Sequence, residues 1–343
     1  MMHFKKCLGV FIFLVLLCTI SNLTMAQEEL KSIIILTLGE IADSSTTSLI
    51  YNQLRDKDIF VRMAALRALG KINDQSLLPK LRLIQERNKL VSIYLTALLT
   101  RLGDEEARTK IKGYLKSDNI QLKTGALSVI RIFDISNVLL EVQVGSKPIM
   151  DKIDPIINTI ISYLNDKNPD IRKKAIELLL SIDKAKTEEN FKIILPHLNL
   201  NDESLEVRRM ALLYISYLDI EEYYGKMSRK DAIFFLKELR NRLYEEDKYI
   251  RSFAKIILAK IKDGNSIKII KNDLLNPGTF LHASSVYALA CAKDFEAIPI
   301  LANDFLDNRF SIVDRQYLIY ALKVIQSYSY SDIVKIPKRI RCY

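Results

Sequence analysis

The side chains able to do covalent or metal chemistry in this chain are few and widely separated. Beyond the amino-terminal segment the histidines are His197 and His282. A His-Glu-x-x-His zinc pair is absent, and Cys and His are too sparse for a structural metal. Acids concentrate at Asp202, Glu203 and Glu206 and again at Glu245, Glu246 and Asp247. Both clusters fall in polar turns ahead of apolar helical stripes, where acids cap helices rather than share a proton in catalysis. Cys291 lies in an apolar stripe and Cys342 in the tail, so they read as a buried small hydrophobe and a terminal thiol. Glycine-rich phosphate loops and nucleophile elbows are also missing. The expectation is a non-enzyme with no catalytic residue, no cofactor and no metal.

Binding is what remains. Lys173, Arg209 and Arg315 occur at equivalent places in recurring segments, with Thr124 and Ser252 in the same column between them. Such a column would suit a partner with an acidic or extended surface, and it would equally suit solvent. Tyr223 and Tyr224 stand in a longer stretch, Asp219 to Asp231, and are amphipathic aromatics of the kind enriched at interfaces. A second long stretch runs from Asn137 to Pro155. These spacings assign Lys173, Arg209, Tyr223, Tyr224 and Arg315 to partner binding. The ending Lys335 to Tyr343 is a short basic tail, read as a solvated terminus or a touch-point for an anionic surface.

The elements that would position these residues are helices. In Leu54 to Ile72, apolar or small residues at Val61, Ala64, Ala65, Ala68, Leu69 and Ile72 make one continuous helical stripe, preceded by the polar turn Asp56-Lys57-Asp58. The Leu54-to-Arg62 spacing returns at Leu164 to Arg172, Leu200 to Arg208 and Leu243 to Arg251. It returns with other residues in the arginine place at Lys123, His282 and Asp314. A helix–turn–helix unit recurring in this way means an α-solenoid.

The pattern resembles HEAT repeats, particularly the short HEAT-like kind related to phycobilisome lyases. The residues that carry the likeness are Asp56, Arg62 and Ala65, then Asp166, Arg172 and Ala175, Asp202, Arg208 and Ala211, and Glu245, Arg251 and Ala254. The copy near residue 95 reads as lacking both acid and arginine. The resemblance implies an all-α superhelix of about eight helix pairs over residues 27–333. It also implies a structural ladder of Asp56, Arg62, Asp166, Arg172, Asp202, Arg208, Glu245 and Arg251, in which each arginine reaches an acid of its own or the next repeat. Enzymes of this fold carry His-Glu pairs or a tryptophan-lined cleft, and this chain has neither.

Residues 1–26 follow a different logic. Lys5 and Lys6 precede an uncharged apolar run from Cys7 to Ile20, and Thr24-Met25-Ala26 suits a signal peptidase. The expectation is a signal peptide cleaved after Ala26 and export to the periplasm or beyond. An uncleaved anchor and a lipid on Cys18 are the rivals, and only these would bring a membrane into play. Losing Lys5 and Lys6 lowers the net charge from +10 to +8. Together these readings give an extracytoplasmic scaffold that binds a protein of unknown identity, the alternative being an envelope-tethered protein on an anionic polymer. Nucleic acid is disfavoured for an exported chain.

Overall fold

The computed structural model describes residues 23–41, 44–141, 155–182, 187–274 and 280–292. Arg315, the basic tail, Cys342 and most of the Asn137–Pro155 stretch lie outside these residues, as does residue 1–22 of the apolar amino terminus. Among the described residues there are sixteen α-helices and short 3-10 turns. None of these helices is long and apolar enough to cross a membrane. The chain divides into two compact units, Met1–Ser162 and Tyr163–Tyr343.

In the first unit the helices are α1 (Leu23–Ile41), α2 (Thr47–Asn52), α3 (Ile59–Ile72), α4 (Leu78–Arg82), α5 (Lys89–Arg101), α6 (Glu105–Lys116) and α7 (Ile120–Phe133), and α8 (Pro155–Leu164) runs across the division at Ser162. Helix α3 packs on α1 and α5, and α5 on α7, so the second helix of each unit lies beside the second helix of the next. Helix α6 covers α5 and α7. Helix α1 spans the bond after Ala26, and Glu28 in it lies near Lys57.

The second unit contains α9 (Pro169–Ser181), α10 (Glu188–Ile194), α11 (Leu205–Tyr217), α12 (Ile220–Gly225), α13 (Arg229–Arg242), α14 (Lys248–Lys260), α15 (Gly264–Asp273) and α16 (Phe280–Ala292). The same stacking runs α9–α11–α14–α16. The cores are the stripes read from the sequence: Val61, Ala65 and Leu69 in one repeat, Val207, Ala211 and Ile215 in another, and Ile250, Ala254 and Ile257 in a third are all buried.

Small residues set how closely the helices approach. Ala65, Ala126, Ala175, Ala211 and Ala254 have no exposed surface. At Gly39 the approach is tighter still, because a Cβ there would sit 2.5 Å from the Cα of Ala68 on α3. Only glycine lets these two backbones meet.

Candidate functional site

The second helices α3, α5, α7, α9, α11 and α14 start from variants of one polar turn, built in up to three steps. Asp58, Asn88, Asn119, Asn168 and Asp247 cap α3, α5, α7, α9 and α14, their side-chain oxygens accepting from the first exposed amides. Two residues before the cap, an acid accepts the cap residue's own amide: Asp56 from Asp58 at 2.9 Å, Asp166 from Asn168 at 2.9 Å and Asp202 from Ser204 at 2.9 Å. Then the arginine in the first turn folds back and donates from Nη1 to two turn carbonyls. Arg62 reaches Asp56 and Lys57 at 2.8 and 3.1 Å, and Arg172 reaches Asp166 and Lys167 at 2.9 and 3.0 Å. Arg208 and Arg251 repeat the geometry on Asp202–Glu203 and Glu245–Glu246.

The arginine's bond within its own repeat is therefore to backbone carbonyls. Carboxylates enter from the next repeat, where they exist. Arg172 grips Asp202 with Nε at 2.8 Å and Nη2 at 2.7 Å, a bidentate pair in which Asp202 is 3% exposed. That bond holds the guanidinium's pKa above its ordinary value, burial pulling the other way. Arg62 grips Glu86 in the same manner at 3.0 and 3.2 Å. Glu86 also accepts the Asn88 amide at 2.8 Å, so it is the acid of the repeat that reads as having none. That expectation is corrected: Glu86 stands in phase with Asp56, and only the arginine is replaced, by Ser92. In the first repeat Lys31 supplies the cation for Asp56. Glu245 is taken instead by Arg242 of its own repeat, and the Nε atoms of Arg208 and Arg251 are buried without a partner.

A second polar chain crosses the same helices one position further on. Lys173 on α9 donates to Glu206 on α11 at 3.0 Å, and Arg209 on α11 bonds both Glu206 and Asp247, the cap of α14. The Arg209 guanidinium also lies 5.1 Å from the ring centroid of Tyr249. Bonding to Lys173 first, then Arg209, keeps the Glu206 carboxyl below its ordinary pKa, and Arg209 does the same to Asp247. Lys173 and Arg209 are thus half-exposed and already joined to neighbouring repeats. Ser252, which the spacing puts in their column, is 4% exposed and bonds the Lys248 carbonyl. Arg315 lies outside the described residues.

Tyr223 and Tyr224 are both half-buried on α12. The Tyr223 ring meets Phe191 edge-on at 4.8 Å between centroids, packing the insertion onto α10. Sequence spacing missed four further participants. Glu206 and Asp247 read only as capping acids, and Arg101 and Lys260 fell outside every motif. Arg101 in fact donates to the carbonyls of Gly70 and Phe133 at 2.8 and 2.6 Å, closing the carboxyl ends of α3 and α7 together. Lys260 does the same for α11 through Ser216 and Leu218 at 2.6 and 3.0 Å. Cations in last turns facing a neighbour's last carbonyls are the signal that would have found them.

Cys291 is unbridged among the described residues, and burial pushes its thiol pKa up. Burial lowers the pKa of half-buried His197. No cluster of His, Cys, Asp and Glu suited to a metal occurs among the described residues.

Comparison with known proteins follows the geometry. Residues 20–92 match the family model of HEAT repeats, a span that opens inside the segment read as a signal peptide. No curated protein matches the chain. Among solved structures, it resembles YibA of E. coli with a TM-score of 0.50 and 13% identity, over 90% of this chain and 98% of that one. An engineered protein aligns with a TM-score of 0.36 and 15% identity, over 83% of this chain and 98% of its own. The chain has an all-α solenoid fold, with HEAT repeats matched over residues 20–92.

Proposed function

We propose that the chain is a non-catalytic, extracytoplasmic scaffold that holds a protein partner against its stacked second helices. HEAT repeats commonly mediate protein interactions, which supports a protein partner in general terms. The observation that carries the reading is the chain Lys173–Glu206–Arg209–Asp247. It orders half-exposed charges and the Tyr249 ring across the second helices of three successive repeats, α9, α11 and α14, before any partner arrives. A pre-ordered polar surface costs less side-chain entropy on binding than a flexible one. Export is supported by the lysine-led apolar run of residues 1–26.

The test is a cross-linking pull-down from the native envelope, comparing the unaltered chain with a Lys173→Glu, Arg209→Glu double variant. A partner captured by the former and reduced at least tenfold by the latter supports the site. Equal capture by both overturns it. The net positive charge, +8 without residues 1–26, favours a second reading, an anionic polymer as ligand. Salt separates the two, because polyanion binding weakens steeply between low and physiological salt while a packed interface weakens far less.

A further inference from the structure

Helix α13 carries apolar side chains on two opposite sides. One side, with Phe235 and Leu239, is buried in the repeat. On the other, Lys230, Ile233, Phe234, Lys237 and Asn241 fall on a single stripe of the helix. Ile233 is 60% exposed, Phe234 is 64% exposed, and Tyr244 just past the helix end is 76% exposed. Two bulky apolar side chains thus stand side by side in water, forgoing the stabilisation that burial would bring.

The charges around the pair are also unspent. Arg229, Lys230 and Lys237 are exposed and have no ion-pair partner among the described residues. Their neighbours Lys226 and Arg240 do, in Glu222 and Asp263. The stripe itself contains no acid. Asp231 and Glu238 flank it, the first engaged by Ser228 and the second by Arg242 and Asn201. The chain's own basic tail, four cations and no acid from Lys335 to Arg341, is repelled as a cover.

We propose that the outer face of α13 docks on an anionic phospholipid surface, with Ile233 and Phe234 entering the acyl boundary and Arg229, Lys230 and Lys237 at the phosphates. Lysine stems lie along apolar surface while their ammonium groups stay at the polar level, the arrangement of an interfacial helix. A protein partner would have to place an apolar pocket and matching acids at fixed points. A lipid surface presents both everywhere. The inference does not rest on the partner-binding reading of α9, α11 and α14.

The chain has no tryptophan, so Phe234→Trp in the full chain places a single indole on the face. Its emission should shift to the blue on vesicles of phosphatidylcholine with phosphatidylglycerol at low salt, and brominated acyl chains should quench it. Adding Lys230→Gln and Lys237→Gln should weaken that binding about 30-fold, the equivalent of about 1 kcal/mol for each charge removed. A Leu83→Trp chain, with the indole at an 81% exposed site in the other unit, should not shift. In the unsubstituted chain, amide exchange across residues 229–244 should slow on the same vesicles. The proposal is overturned by an unshifted indole at 234, by an equal shift on phosphatidylcholine alone, by an equal shift at 83, or by a response to an acidic envelope protein without one to vesicles.

Discussion

Arg172 and Arg208 occupy the same place in consecutive repeats and hold different partners. Removing Arg172 strands Asp202, a carboxylate 3% exposed, and such a loss costs about 3–5 kcal/mol. Removing Arg208 forfeits two carbonyl bonds and also relieves a buried, unpartnered Nε, so about 1 kcal/mol is expected. Urea unfolding of Arg172→Ala and Arg208→Ala measures the difference, and equal losses would refute the unequal roles. Lys255 on α14 offers a related asymmetry. It is 2% exposed, with its ammonium on Asp273 at 2.6 Å and on Ser285 at 3.0 Å, and burial holds its pKa below the ordinary value. Asp273→Ala leaves that ammonium buried without its anion and should cost about 3 kcal/mol. Lys255→Met leaves only an aspartate still 29% exposed to water and should cost clearly less in the same assay.

At the scale of helices, close approach is the controlling variable. A Cβ added at Gly39 would meet backbone, the Cα of Ala68 at 2.5 Å, whereas one added at Gly125 would meet the far end of a side chain, Ile93 Cδ1 at 2.8 Å. Backbone cannot turn aside and a rotamer can. Gly39→Ala should therefore push α1 from α3 and destabilise by about 2–3 kcal/mol, while Gly125→Ala stays near neutral because a better helix former offsets the adjustment. Thermal melts of the two variants read this directly. The alanine column had the same meaning in the sequence as in the fold, since Ala65, Ala175, Ala211 and Ala254 recur in phase and sit where helices touch. Gly39 was not legible in that way. Its role depends on which residue of α3 lies opposite, and no repeat spacing states that.

For the molecule as a whole, acid and processing give the measurable consequences. Asp247 and Glu206 have folded pKa values held below ordinary ones by Arg209 and Lys173. Groups lowered in this way contribute stability above the unfolded pKa, near 4, and lose it as pH falls through the folded value. The thermal midpoint should hold steady from neutral pH to about 5 and fall below about 4. Arg209→Gln should shallow that fall while costing under about 1 kcal/mol at pH 7, because these side chains are half-exposed. With residues 1–26 read as a removed leader, a chain starting at Gln27, which keeps the Lys31–Asp56 pair, buried Ile35 and the Gly39 approach, should melt as the full chain does. A lower midpoint would show that residues 1–26 belong to the fold.

What the residues determined by themselves was the repeat: helical stripes, capped turns and in-phase alanines follow from local periodicity, which each short segment carries independently of the rest. Arg62, Arg172, Arg208 and Arg251 were recognisable as one position for the same reason. What each arginine holds was decided only by tertiary structure, because that partner comes from the next repeat and depends on its register. Hence Glu86 emerged as a ladder acid, and Lys173 and Arg209 as links between helices. The apolar outer face of α13 likewise became visible only once packing had settled which of its two greasy sides the core takes.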